Sequence, residues 1–191
     1  MQKYFSCFIA FPLPEPYLSR FQSLQAKLAA FSPHFSLIHH TEPHVTLAYL
    51  GNCDSLSVEA AADIVRDHMH LLRDTSIVFR GLKTLGQDQT YGLALVCSVS
   101  PNVQKFAENV LNELSFTLQV PKLPFLPQLT LAKFETEEAK RDWRYFGQET
   151  KAALQDTMFA FAIKEIIIYG NSKVSGQEKS LQRLIILKEE N

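Results

Sequence analysis

The chain has 191 residues, 46% apolar and 20% charged, with a formal net charge of -1. This length suits one domain or two small lobes sharing a core, and near-neutrality excludes a general attraction for nucleic acid, so any polyanion needs a local site. Three cysteines, Cys7, Cys53 and Cys97, are too few and too scattered for a disulfide scaffold and fit a reducing cytosol.

The opening MQKYFSCFIAFPLP is apolar, but Pro12 and Pro14 interrupt it and no small-residue cleavage site follows, which argues against a signal peptide. No stretch reaches the roughly 20 apolar residues of a membrane span. The expectation is a soluble, cytoplasmic protein. Residues 4–11 read as a buried, aromatic-rich strand stopped by the two prolines. Tyr17, Phe21, Leu24, Leu28 and Phe31 then recur at helical spacing over 15–31. A loop with Pro33, His39 and His40 leads to HVTLAYL (44–50), a strand. Val58, Ala61, Ala62, Val65, Met69 and Leu72 mark a second helix, followed by the strand SIVFRGLKTL (76–85).

The same order recurs downstream. YGLALVCSVS (91–100) is a strand closed by Pro101, and NVQKFAENVLNEL sets Val103, Phe106, Val110, Leu111 and Leu114 on one helical face. LPFLPQLTLAKF (123–134) follows. Thr136 can cap a helix EEAKRDWRYF that stops before Gly147. FAFAIKEIIIYG (159–170) reads as one long strand, and LQRLIILKE (181–189) as its hairpin partner across NSKVSGQEKS. Tyr4 maps onto Tyr91 and Pro14 onto Pro101 with an offset of 87, whereas His44 maps onto Gln128 with an offset of 84, the drift a loop deletion leaves. The expected class is α+β: a bilobed duplicated fold, two mainly antiparallel sheets facing a central groove, helices outside. Residues 1–191 form a single domain of two pseudo-repeated lobes on this reading.

Strand alternation puts His44, Thr46 and Ala48 on one face and Val45, Leu47 and Tyr49 on the other. In the second copy Gln128, Thr130 and Ala132 share a face, with Lys133 alternating away. Two imidazoles and two hydroxyls meeting across a groove would suit a phosphodiester. One imidazole takes a proton from water and the other protonates the leaving oxygen. The hydroxyls hold the non-bridging oxygens, where charge builds up.

FIAFPLP, EPHVTLAYLG and FLPQLTLAKF resemble the 2H phosphoesterase superfamily, specifically its LigT-like branch of RNA 2′,3′-cyclic phosphodiesterases, historically called 2′-5′ RNA ligases. The resemblance spans essentially the whole chain. It implies one H-x-T/S motif per lobe and hydrolysis of a 2′,3′-cyclic phosphate to a phosphomonoester, with no metal and no cofactor. By position, His44 and Thr46 match the first motif and Thr130 the second, so His44, Thr46, Gln128 and Thr130 are the implied catalytic set. Gln128 stands where the family pattern has histidine. Glutamine donates and accepts hydrogen bonds but exchanges no proton near neutrality, and losing one acid–base partner typically costs about 10²–10⁴ in rate. Impaired hydrolysis is therefore expected; the alternative is a non-catalytic nucleotide- or RNA-end-binding module. The implied partner is an RNA 3′ end or nucleotide carrying a 2′,3′-cyclic phosphate, met by a monomer away from membranes.

Tyr4, Phe11 and Phe125, with Phe5, are candidates for stacking a base at the groove edge, although strand aromatics more commonly fill cores. A zinc site at His39, His40 and His44 is disfavoured: Pro43 keeps this segment out of a helix, and no cysteine or carboxylate pattern completes a ligand set. His68 and His70 read as surface residues. Lys133, Lys140, Arg141 and Arg144 interleave with Glu135, Glu137, Glu138 and Asp142, the pattern of a solvated helix face rather than an RNA track. An RNA-binding sheet with exposed aromatics is a further rival.

Overall fold

The computed structural model describes residues 2–38, 43–86, 91–154, 158–172 and 181–188. The first repeat supplies β1 (Lys3–Pro12), α1 (Leu18–Ala29), a short β2 (Ser36–Leu37), β3 (His44–Asp54), α2 (Ser55–His68) and β4 (Ser76–Leu85). The second supplies β5 (Gly92–Val99), α3 (Pro101–Leu118), β6 (Gln128–Lys133), α4 (Glu137–Leu154), β7 (Met158–Ala162), β8 (Glu165–Ser172) and β9 (Leu181–Lys188). Helices α2, α3 and α4 start where a side chain satisfies one of the first free N–H groups. Asp54 accepts from Ser57 N at 2.8 Å, Ser100 from Val103 N at 3.4 Å, and Thr136 from Ala139 N at 3.1 Å.

Two boundaries differ from the sequence reading. Helix α4 passes through Gly147 and continues to Leu154. The glycine leaves room for the Trp143 indole, whose Cε2 would lie 3.2 Å from an added Cβ, so it serves packing rather than a stop. Residues 159–170 form two strands, broken at Ile163–Lys164, which belong to opposite ends of the sheet. The partner strand β9 does pair antiparallel with β8; the connecting residues 173–180 lie outside the described set.

The strands form one sheet in the order β7-β4-β5-β6-β3-β1-β8-β9, with β2 against β6, and every pairing is antiparallel. The two expected sheets are the halves of this one, joined at a single paired position, Val45 with Leu129. Beyond it β3 and β6 diverge, and β2 takes up the far end of β6 through Ser36–Lys133 and Leu37–Ala132. The repeats are also interlocked. β4 leaves the first repeat to pair with β5, while β8 leaves the second to pair with β1.

Helices cover one face of the sheet, where a large apolar core gathers alternate strand residues such as Ile9, Phe11, Val45 and Leu129 against Phe21 and Phe106. The strand register corrects the internal alignment. Ala10 pairs with Thr46 and Ala94 with Thr130, and Leu13 N donates to Pro43 O as Cys97 N donates to Pro127 O. Both strands of the motif hairpins therefore correspond at an offset of 84, so Tyr91 matches Cys7 rather than Tyr4. The three cysteines are free and buried. Burial pushes all three thiols up, Cys53 to about 12, which leaves them protonated and poor nucleophiles.

The connection from α1 to β2 is tied to α4. Ser32 Oγ donates to Asp142 Oδ2 at 2.6 Å, and His34 Nδ1 lies 2.9 Å from the same oxygen. The Ser32 hydroxyl first, and His34 second, hold the Asp142 carboxyl below its ordinary 3.8. A depressed folded-state pKa stabilises the fold above the unfolded value, and that contribution disappears as pH falls through the folded one. Asp142→Asn should accordingly flatten the acid side of a melting-temperature profile below about pH 4; an unchanged slope would remove this tie from the stability of the fold. The junction offers a second test. Val45 and Leu129 are each 1% exposed, and Leu129→Ala should cost about 2–5 kcal/mol in urea unfolding. A loss under about 1 kcal/mol would show that the halves are held together elsewhere.

Candidate active site

Because Val45 and Leu129 both point into the helix-covered core, their neighbours point the other way. The one antiparallel contact thus aims His44, Thr46, Gln128 and Thr130 at the same side of the sheet. Continuing its register sets His44 toward Thr130 and Thr46 toward Gln128. All four are half-buried, and all four line one cavity of about 440 Å³. The cavity occupies the fork between the diverging strands, with Ile38 on one side and the 121–126 segment between α3 and β6 on another.

Each strand then departs from simple alternation at the same place. Ile9 pairs with Ala48 and Ala10 with Thr46, so β3 carries one extra residue there; Leu93 pairs with Ala132 and Ala94 with Thr130, so β6 does too. Such a bulge turns the following side chains to the opposite face. Ala48 and Ala132 consequently join the core; Ala132 leaves its expected groove position, whereas Ala48 still reaches the cavity lining. Tyr49 and Lys133, expected on the far face, line the cavity instead. Tyr49 is 60% exposed. Among the described residues the Lys133 ammonium has one long, exposed ion pair, 3.8 Å to Glu135, too weak to neutralise it.

The His44 ring is framed by aromatics. Phe8 lies 4.7 Å from it between centroids and Tyr169 5.6 Å, while Phe8 and Tyr169 stack on each other at 5.0 Å. Phe8 also touches Tyr49 at 6.2 Å. With Ala10 and Ile167, Phe8 and Tyr169 make a small buried cluster separate from the main core. That cluster fixes the imidazole orientation by packing.

The polar lining comprises hydroxyls, an amide, an imidazole and an ammonium, and no carboxylate appears among the described lining residues. Such a set suits an anion. Among the described residues no three His, Cys, Asp or Glu gather as metal ligands; His39 and His40 lie outside the described residues.

The predicted stacking aromatics are elsewhere. Phe11 is fully buried against Phe106 at 6.2 Å and Phe125 at 6.4 Å, Phe125 is 7% exposed, and Tyr4 packs on the main core. Helix packing claimed them, because an aromatic in a strand signals burial without saying on which face. Phe8, Tyr49, Tyr169 and Lys133 were missed, although the shared frame T-L-A followed by Tyr49 or Lys133 would have paired the last residues once the bulge was known. His68 is more than a surface residue, since its Nε2 sits 2.9 Å from Glu113 Oε2 and bridges α2 to α3. The basic stretch on α4 is a solvated face: Lys140 pairs with Glu137 at 2.8 Å, and Arg141 with Asp142 at 3.7 Å.

A duplicated α+β sheet that aims two x-Thr pairs at one anion-suited cavity is the frame of the 2H phosphoesterases. Residues 13–169 match the sequence model of the 2'-5' RNA ligase superfamily, and the chain belongs to that superfamily. No individual curated protein matches it by sequence. Among solved structures it is similar to E. coli LigT in apo form, with 15% identity, a TM-score of 0.66 and 98% of each chain covered. It is also similar to TT0787 of Thermus thermophilus, with 15% identity, a TM-score of 0.67, and 96% of this chain and 97% of that one covered. The MHV ns2 PDE domain aligns with 70% of this chain and 86% of its own, at 19% identity and a TM-score of 0.53. At these identities the likeness is one of fold.

If the lining takes an anion, its ammonium must matter. Lys133→Ala should weaken calorimetric binding of inorganic phosphate about tenfold, the scale of one charge-assisted hydrogen bond. Equal affinity in the folded variant would place the anion away from the end of β6.

Proposed function

We propose that the chain binds the 2′,3′-cyclic phosphate of a nucleotide or RNA 3′ end in this cavity and opens it to a phosphomonoester, slowly because residue 128 is glutamine. Residues 1–191 act as one bilobed domain and as a monomer on this reading, and the three free, buried thiols support a cytoplasmic setting. The observation that carries it is the convergence of His44, Thr46, Gln128 and Thr130 on one cavity with no carboxylate among its described lining residues. E. coli LigT, of the same fold, has been solved complexed with 3'-AMP and with phosphate, ligands of the chemistry proposed here.

In the reaction a water oxygen bonds to phosphorus while one ring P–O bond breaks, and the proton lost by water is balanced by one gained at the leaving ribose oxygen. Thr46 and Thr130 donate to the non-bridging oxygens and Lys133 offsets the charge that builds there. His44 performs one of the two proton transfers. Gln128 can align the attacking water or the leaving oxygen through its amide but carries no proton between them. The other transfer falls to solvent. No metal is required, because hydroxyls and an ammonium supply the charge stabilisation.

Gln128→His should raise hydrolysis of a nucleoside 2′,3′-cyclic phosphate by about 10² or more, and His44→Ala in that background should return it to the starting rate. A folded Gln128→His protein that binds the nucleotide yet stays inert would replace the hydrolase with the binding module.

A further inference from the structure

Helix α1 turns Phe21, Leu24 and Leu28 into the core, and Gln25 lies among them, only 5% exposed. A buried amide is costly unless its hydrogens are taken up. Here both are: Gln25 Nε2 donates to Ile38 O at 2.6 Å and to Leu131 O at 3.0 Å. With a carbonyl at each contact, the nitrogen of the amide must be the atom that faces them. Ile38 N donates to the same Leu131 O at 3.1 Å, so α1, the end of β2 and β6 are joined at one point.

Both joined residues belong to the construction of the cavity. Ile38 lines it, and Leu131 is the extra residue of the β6 bulge, next to Thr130 and just before the turn that brings Lys133 into the lining. Gln25 itself is not among the described lining residues. A bulge leaves one residue of its strand outside the regular ladder, and here two donors hold that residue's carbonyl. Because β2 is only two residues long, the same amide also secures the strand where it ends beside the cavity. We infer that Gln25 is a positioning residue for the anion site: its amide pins the Ile38 wall to the β6 bulge and so fixes the Lys133 ammonium beside Thr130. The role demands this side chain. Methionine has the length without a donor, asparagine sets its amide one methylene back, and glutamate would face two carbonyl oxygens with a carboxylate. The inference rests on the phosphoester reading above and adds to it a residue outside the cavity that governs how tightly the anion is held.

The test is a double-mutant cycle on the calorimetric affinity of the intact protein for inorganic phosphate, with Gln25→Met, Lys133→Ala and the double variant. Gln25→Met alone should weaken binding about fivefold, and less than about twofold in the Lys133→Ala background, the non-additivity of a residue that acts through another. Leu28→Ala removes core packing from the same helix, where Leu28 is fully buried. It should lower the melting temperature at least as much as Gln25→Met yet leave phosphate affinity within about twofold. That contrast separates positioning from stability. Should Gln25→Met not fold, Gln25→Asn takes its place in the cycle with the same expected direction. Phosphate binding indifferent to the amide, an effect that adds fully to that of Lys133→Ala, or an equal loss in Leu28→Ala would overturn the inference while the phosphate site stands. An unsubstituted protein that binds no phosphate would overturn the phosphoester reading and this inference together.

Discussion

Everything proposed for this protein depends on one buried contact, Val45 against Leu129, the sole paired position between β3 and β6. Two apolar side chains drawn into the helix-covered core force their neighbours outward. Those neighbours are the polar residues of both motifs. The contact is minimal, which has a structural consequence: with one pair and then divergence, the strands leave a fork deep enough to hold a ligand. A fully zipped β3–β6 ladder would close the cavity and present the same four side chains on a flat sheet. The exchange of β4 and β8 between repeats supports this geometry, since neither half of the sheet is complete from one repeat alone.

The two halves share a backbone and differ in chemistry. At equivalent places the first has Phe8, His44 and Tyr49, and the second has Gly92, Gln128 and Lys133. Gly92 is fixed sterically, for an added Cβ would lie 2.5 Å from Ala132 O. No ring can therefore back residue 128 as Phe8 backs His44. One side of the cavity is an imidazole set among aromatics, and the other is an amide beside a cation.

Much of this was legible in the sequence because it is local. Motif positions, helix faces and the cap at Thr136 follow from residue types at fixed spacing. What stayed hidden depends on pairing. The bulges at 47–48 and 131–132 have no glycine or proline to announce them, yet they reverse the faces of Tyr49 and Lys133 and send Ala48 and Ala132 inward. The run 159–170 is apolar on both sides of Lys164 and Glu165, and Ile163 N bonding to Thr75 O while Glu165 begins a ladder with β9 shows that its halves part company. Phe11 and Phe125 misled for the opposite reason: their chemistry suits a base, and burial against Phe106 had the stronger claim.

Gln128 takes on a different meaning once the lining is known. An apolar residue there would remove a polar group from the anion's surroundings as well as a proton carrier. Glutamine removes the carrier alone. Its amide still offers two donors and an acceptor at the place where an imidazole would act, and Thr46, Thr130 and Lys133 remain around the same space. On the proposed reading the site therefore keeps what binds a phosphoester and halves what turns it over.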